Sequence, residues 1–191
     1  MAGQLYDGEF FEIVTSTASA AARRVVPHLL KWLVPSSVVD VGCGEGAWLA
    51  AFAAAGCSVI GVDGEYVDKE RLLVPPEAFV VHDLEQPIRL AERFDLAVSL
   101  EVAEHLTPAR AEGFVDDLVG LSSRVLFSAA TPGQGGYGHV NEQPHTYWVR
   151  LFEERGYATT TVLQRTFADD SDIAFWYRDN MMLFVEVARV S

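Results

Sequence analysis

Three short stretches of this sequence hold residues whose types and spacing could do chemistry. The first is Gly42, Gly44 and Gly46, set between two apolar runs, with Asp63 closing the second run. Glycines at this spacing let the backbone turn sharply and leave no Cβ between main-chain N–H groups and a ligand. An acidic residue about 20 residues further on, at a strand end, can accept hydrogen bonds from ribose hydroxyls. A ligand carrying adenosine fits both features. The second stretch is Glu101-Val102-Ala103-Glu104-His105. Its histidine is the best general base in the chain, since an unperturbed pKa of ~6.5 allows it to accept a hydroxyl proton near neutral pH. The third runs from Gly138 to Trp148 and holds His139, Asn141, Gln143, His145, Tyr147 and Trp148 behind a glycine-rich hinge. Its amides and histidines can exchange hydrogen bonds with substrate hydroxyls while an aromatic ring stacks, so His139, Asn141 and His145 are candidate substrate residues.

The elements that must position these residues are legible in the hydrophobic periodicity. A short amphipathic helix is expected over Leu5 to Val14, and a second from Thr15 to Val34, kinked or split at Pro27. Strands are expected over 38–41, 58–62, 78–81, 94–100, 125–129, 158–164 and 182–189. Helices are expected over 46–55, from Pro108 through Leu121, and over 146–155, with 131–144 a mobile glycine-rich loop and 168–179 a connection without a helix. Alternating strands and helices imply a Rossmann-like, doubly wound α/β fold with a mostly parallel seven-stranded sheet. The last two strands lack a helix between them, so an antiparallel hairpin should place one reversed strand near the C-terminus. Ligands in such sheets bind beyond the carboxyl ends of the strands at the topological switch point. All three stretches fall on that edge.

Composition narrows the class. At 191 residues the chain is one domain's worth, read as a helical cap over residues 1–34 and a core over 35–191. Half of the residues are hydrophobic and 21% are charged, a globular balance. No window approaches the ~18 apolar residues of a membrane span, and the acidic start is unlike a secretory leader, so a cytoplasmic protein without a membrane partner is expected. Cys43 and Cys57, the two cysteines, read as reduced packing residues. A formal net charge of −13 disfavours large nucleic-acid partners and leaves a small molecule as the expected substrate. Nothing in the sequence specifies an oligomeric state.

Val39-Asp40-Val41-Gly42-Cys43-Gly44-Glu45-Gly46 resembles the first motif of the class I S-adenosylmethionine-dependent methyltransferases. Asp63, His82-Asp83-Leu84 and Phe94-Asp95-Leu96-Ala97-Val98-Ser99 followed by Glu101 are similar to the later motifs in order and distance, so the resemblance covers about Val38 to Phe127. It implies that Gly42 and Gly44 lie against the methionyl part of the cofactor, with Asp40 near its amino group. Asp63 would hold the ribose, Asp83 would accept from the adenine amino group beside Leu84, and Ser99 and Leu100 would line the sulfonium side. The Glu-x-x-Glu-His pattern also resembles the ubiquinone-pathway O-methyltransferases and the small-RNA 2′-O-methyltransferases, in which such residues can hold a divalent metal. On that resemblance Glu101, Glu104 and His105, with His139 or His145, form a candidate set for magnesium, manganese or zinc. The expected activity is methyl transfer from S-adenosylmethionine to a hydroxyl of a sugar or natural-product-like acceptor, with Glu101, Glu104 and His105 as catalytic residues.

Two other readings stay open at this point. Gly42, Gly44 and Ala47 also satisfy a dinucleotide fingerprint, as in an NAD-dependent oxidoreductase, although no lysine or arginine between Pro35 and Val67 would meet a pyrophosphate. A catalytically inactive cofactor-binding regulatory protein could share the same fold.

Overall fold

The computed structural model describes residues 8–187, with side chains from residue 12 onward. In chain order the elements are α1 (Gly8–Leu29), β1 (Ser37–Val41), α2 (Ala47–Ala54), β2 (Ser58–Asp63), β3 (Phe79–Val81), β4 (Leu96–Leu100), α3 (Ala111–Leu121), β5 (Arg124–Ser128), α4 (His145–Glu154), β6 (Tyr157–Thr160), α5 (Val162–Thr166), α6 (Phe175–Asn180) and β7 (Met182–Glu186). The seven strands form one sheet in the order β3-β2-β1-β4-β5-β7-β6. β7 runs antiparallel to both β5 and β6, while the remaining pairs are parallel. This is the Rossmann-like sheet with one reversed strand that the element order implies.

Side-chain alternation explains why both faces are covered. Val38, Leu96, Val98 and Leu126 face α1, α2, α5 and α6, whereas Val39, Val41, Ala97, Val125 and Phe127 face α3 and α4. Strands buried on both sides need apolar residues at every position, which is why the central strands read as continuous apolar runs. α1 docks through Ala18, Ala21, Ala22, Val25, Val26 and Leu29, a stripe at helical spacing made close-packing by small side chains.

The helix boundaries differ from expectation in three places. α1 runs unbroken across Val14 and Thr15, where two helices are expected, and Pro27 sits in its last turn. The carbonyl that Pro27 leaves without an intrahelical donor belongs to Arg23, which faces solvent, so the helix continues to Leu29. The expected start at Leu5 and the end of the last strand, 188–189, lie outside the described residues. β6 stops at Thr160 and the chain turns into α5, and the connection over 168–179 holds the first residues of α6. These helices have five and six residues, too short for a periodicity to register. No helix among the described residues is long and apolar enough to cross a membrane.

The chain moves outward from β1 to β2 and β3 on one side, and to β4 and β5 on the other. The switch point therefore lies between β1 and β4, whose carboxyl ends carry the glycine turn and Glu101.

Candidate functional site

Two adjoining cavities open at this edge. One, of about 870 Å³, is lined by Asp63, Tyr66, Asp83, Leu84, Val102 and Leu106. The other, of about 370 Å³, is lined by Asp40, Trp48, Glu104, Gln134, His139 and Tyr177. Gly42, Gly44, Glu101 and His105 border both, so a ligand that filled the first would present its far end to the second beside His105.

The glycine turn needs its glycines for different reasons. Gly42 (φ +83°) lies so close to Val102 that a Cβ would sit 2.3 Å from a Val102 methyl. Gly44 (φ +54°) faces open space, and its N–H donates to Asp63 Oδ2 at 2.7 Å. Asp63 Oδ1 accepts from the Gly64 N–H at 2.7 Å and from the Tyr66 hydroxyl. Burial raises the Asp63 pKa, and these three donors oppose the shift. Asp40 has fewer donors around it. It is 2% exposed, its Oδ2 meets no hydrogen-bond donor among the described residues, and burial together with the Asp63 charge pushes its pKa well above the ordinary value.

Asp83 is exposed at the mouth of the larger cavity, where its Oδ1 accepts from the Glu85 N–H at 3.0 Å and Leu84 packs behind it. Ser99 lies fully buried within β4 and lines neither cavity, while the neighbouring Leu100 lines the smaller one.

The acidic loop departs from β4 through Glu101 in a left-handed conformation (φ +57°), which aims its side chain back across the sheet edge. There the carboxylate accepts from Gln134 Nε2 at 2.9 Å and Asn180 Nδ2 at 3.2 Å. Glu104 is completely buried, with its carboxyl group against that of Glu101 and beside the main-chain N–H groups of Glu104 and Ala130. Burial, then the neighbouring Glu101 charge, pushes its pKa well up. His105 is driven the other way, to about 4, by burial and by His139, with a Gly138 main-chain hydrogen bond opposing. Glu104, His105 and His139 each offer a ligand atom within 4.8 Å of the others. Of the expected cation set the structure brings these three together and leaves Glu101 and His145 outside. Glu101 turns to the amides of Gln134 and Asn180, and His139 joins Glu104 and His105.

The glycine-rich loop is pinned where a mobile segment is expected. Glu142 accepts from the Gly133 N–H at 2.8 Å and meets His139 Nδ1 at 2.9 Å, and the Glu104 carbonyl accepts from the N–H groups of Val140 and Asn141. Asn141 is buried, donates to the Ala103 carbonyl at 3.3 Å and lines neither cavity. His145 Nε2 bonds Asn180 Oδ1 at 3.1 Å, also away from both cavities. Of the three expected substrate residues, His139 alone borders a cavity.

Sequence reasoning missed Gln134, Trp48, Tyr177 and Asn180. Tyr177 is buried against Trp48, and burial and the Glu101 charge raise the pKa of its hydroxyl. A residue from α1 also joins the site: Thr15 Oγ1 donates to Glu45 Oε2 at 2.6 Å, and Arg71 holds the other oxygen of that buried carboxylate.

Comparison with known proteins agrees with this geometry. A family model described as a methyltransferase domain matches residues 14–112. A ubiquinone biosynthesis O-methyltransferase of Rhodopseudomonas palustris (strain BisA53) is 30% identical over 90 residues, which cover 42% of this chain and 34% of that protein. The match thus spans about a third of that relative's length. Among solved structures, the magnesium protoporphyrin IX methyltransferase of Synechocystis PCC 6803 with bound S-adenosylmethionine superposes with a TM-score of 0.62 at 20% identity, over 87% of this chain and 80% of that one. Streptomyces venezuelae DesVI superposes with a TM-score of 0.70 at 15% identity, over 98% and 99%. At these identities the structures speak to the fold, and the family model, which spans more than half of the chain, speaks to descent. The chain with the glycine turn, the Asp40 and Asp63 carboxylates and the Glu-x-x-Glu-His loop on one sheet edge belongs to the methyltransferase-domain family, as a class I S-adenosylmethionine-dependent methyltransferase.

Proposed function

We propose that the protein transfers a methyl group from S-adenosylmethionine to a hydroxyl of a small molecule, a sugar or natural-product-like acceptor. The observation that carries the reading is Asp40. A buried carboxylate oxygen without a donor is costly, and an ammonium group beside it would supply the missing partner. The cofactor's amino acid end brings such an ammonium. Among the described residues neither cavity is lined by a lysine or arginine, so a dinucleotide's pyrophosphate would find no countercharge there.

In this reading the larger cavity takes adenosine, with Asp63 toward the ribose and Asp83 and Leu84 at the base. Gly42 and Gly44 border the methionyl arm. When bound, the cofactor's sulfonium supplies the methyl group, and the bond to sulfur breaks as the bond to the acceptor oxygen forms. The acceptor enters the smaller cavity, where Tyr177, Gln134 and His139 can orient it. Holding the oxygen in line with the departing bond supplies much of the rate. His105 receives the hydroxyl proton, since a pKa near 4 keeps its imidazole unprotonated at neutral pH. As the alternative to His105 acting as the base, Glu104, His105 and His139 would hold a divalent ion, magnesium, manganese or zinc, and it would supply Lewis acidity toward the acceptor oxygen. The burial of Glu104 beside a second carboxylate supports that site, since a cation there would offset the charge.

Titration with S-adenosylhomocysteine and with NADH, followed by tryptophan fluorescence, tests the cofactor assignment. Binding of the first and not the second is expected. NADH binding without S-adenosylhomocysteine binding would overturn it. A screen of radiolabelled methyl transfer to phenols, catechols and neutral sugars then tests the acceptor class, and transfer confined to amines or carbon would overturn the hydroxyl assignment.

A further inference from the structure

The loop that forms the adenine end of the larger cavity, residues 82–88, is built from behind by two charged residues that border neither cavity. Arg110 is 8% exposed, and its guanidinium donates to the Leu84 carbonyl at 2.8 Å through Nε and to the Gln86 carbonyl at 3.0 Å through Nη2. The same guanidinium pairs with Asp117, which is 3% exposed. Asp117 in turn accepts from the Ile88 N–H at 3.0 Å, so one ion pair fixes the loop at three main-chain groups. Gly113 leaves room for the arrangement, because a Cβ there would come within 2.8 Å of Arg110 Nη1. A fourth tie comes from Thr107, whose N–H and hydroxyl both donate to the Glu85 carboxylate, at 2.7 and 2.9 Å.

The planar guanidinium fork suits this task. It reaches two carbonyls and a carboxylate at once from a rigid frame, which a single ammonium cannot do. Beside the clamp and the Thr107 tie, the loop is held by the His82 N–H on the Asp63 carbonyl at 2.8 Å and by Arg89, whose Nη1 donates to Asp117 at 2.7 Å, while β3 adds a three-residue edge strand with Val80 and Val81 exposed. Without the clamp, Asp83 and Leu84 would keep their local turn, the Gln86 N–H to Asp83 carbonyl bond, and the ties at His82 and Glu85 on either side, with nothing fixing the Leu84 and Gln86 carbonyls from behind.

We propose that Arg110 and Asp117 are the positioning pair for base recognition, setting Asp83 and Leu84 where adenine is distinguished from other bases. This rests on the cofactor assignment made above and adds to it residues that touch no ligand. A group that accepts from the exocyclic amine of adenine should reject hypoxanthine, whose carbonyl oxygen stands at the same position.

Paired titrations of the full chain with S-adenosylhomocysteine and S-inosylhomocysteine test it. The wild-type protein is expected to prefer the adenine ligand by about tenfold or more. Arg110→Met should reduce that preference to about threefold or less, because displacement of a recognition loop by about 1 Å removes the advantage of its placement. Arg110→Lys, which retains the ion pair but not the two-carbonyl grip, should fall between them, and Asp117→Asn should behave as Arg110→Lys does. A merely structural role would lower melting temperature and weaken both ligands alike, leaving the ratio unchanged. If Arg110→Met does not fold, the two milder variants decide. An unchanged ratio in the folded variants would overturn the inference, as would a wild-type protein that binds both ligands equally. Failure of the wild type to bind S-adenosylhomocysteine at all would instead remove the cofactor assignment, and this inference with it.

Discussion

The imidazole of His105 meets that of His139 edge-on, with ring centroids 4.9 Å apart, although 34 positions separate them in the chain. His139 arrives there because its loop is sewn to Glu104, through the carbonyl that accepts from Val140 and Asn141. The contact places two nitrogen ligands beside a buried carboxylate. We expect the protein to bind manganese or zinc, and His139→Ala and Glu104→Gln each to lower that affinity by about tenfold or more. Calorimetry on protein stripped with a chelator measures this without any acceptor. Equal affinity in all three proteins would show that the cluster is not a metal site.

Turnover should depend on His105 more sharply than binding does. His105→Ala is expected to reduce methyl transfer by about 10²-fold or more, the usual contribution of a positioned base, while S-adenosylhomocysteine affinity stays within about twofold. Single-turnover rates and equilibrium titration separate the two effects. A fully active variant would assign His105 a structural role.

Asp40 links cofactor binding to stability. Its folded-state pKa lies above the ordinary carboxylate value of 3.8, for reasons of burial and the nearby Asp63 charge. Folding therefore favours its protonated form. The associated stability is complete below pH ~4 and is lost as pH rises through the raised value. Asp40→Asn carries no such loss, so the cofactor-free variant should match wild type near pH 4 and exceed it in melting temperature at neutral pH. The same variant should bind S-adenosylhomocysteine about tenfold or more weakly, having lost the charge that pairs with an ammonium. Thermal melts across that pH range, with and without ligand, check both halves.

Asn180 is the junction of a buried polar network. Its Nδ2 donates to the Glu101 carboxylate and to Gln134 Oε1, at 3.2 and 2.8 Å, and its Oδ1 accepts from His145 Nε2 at 3.1 Å. Asn180→Leu would strand groups on three other elements, at a cost of about 2–4 kcal/mol. For a chain of this size the melting temperature should fall by about 4–16 °C. Asn180→Asp should be at least as damaging, since it sets a second carboxylate against Glu101. A melting temperature unchanged in Asn180→Leu would mean that water replaces the amide.

What could be read in the sequence was what is local along the chain. The glycine turn, Asp63 and the loop from Glu101 to His105 lie within single strand-and-turn units, so residue types and spacing reveal them. Asn180 reaches Glu101 across 79 positions and Gln134 across 46, and no local pattern carries such a contact. Arg110 is similar, because a lone arginine at a helix start looks solvated until Leu84, Gln86 and Asp117 surround it. His145 and Asn141 illustrate the opposite case, since they line neither cavity. Both sit in a polar stretch that suggests substrate binding, and the fold uses them to fasten the site from outside. Pro27 does not split α1 because it falls in the helix's last turn, a placement that composition alone does not reveal.

Gly42 joins the two stretches with which the site begins. Its φ of +83° is left-handed, and a Cβ would lie 2.3 Å from a methyl of Val102, the residue that leads into Glu104 and His105. Two separate penalties therefore oppose a side chain at this position, a backbone term of about 1–2 kcal/mol and a steric term. Gly42→Ala should weaken S-adenosylhomocysteine by about 10²-fold and displace the loop that carries His105. Adding Val102→Ala removes the obstructing methyls and leaves the backbone term, so the double variant should recover about tenfold of the lost affinity without reaching wild type. Titration of the wild type, both single variants and the double variant closes the cycle. If Val102→Ala gives no recovery, the requirement for glycine lies in the backbone or in the ligand's own approach, and Val102 is not what the extra carbon meets.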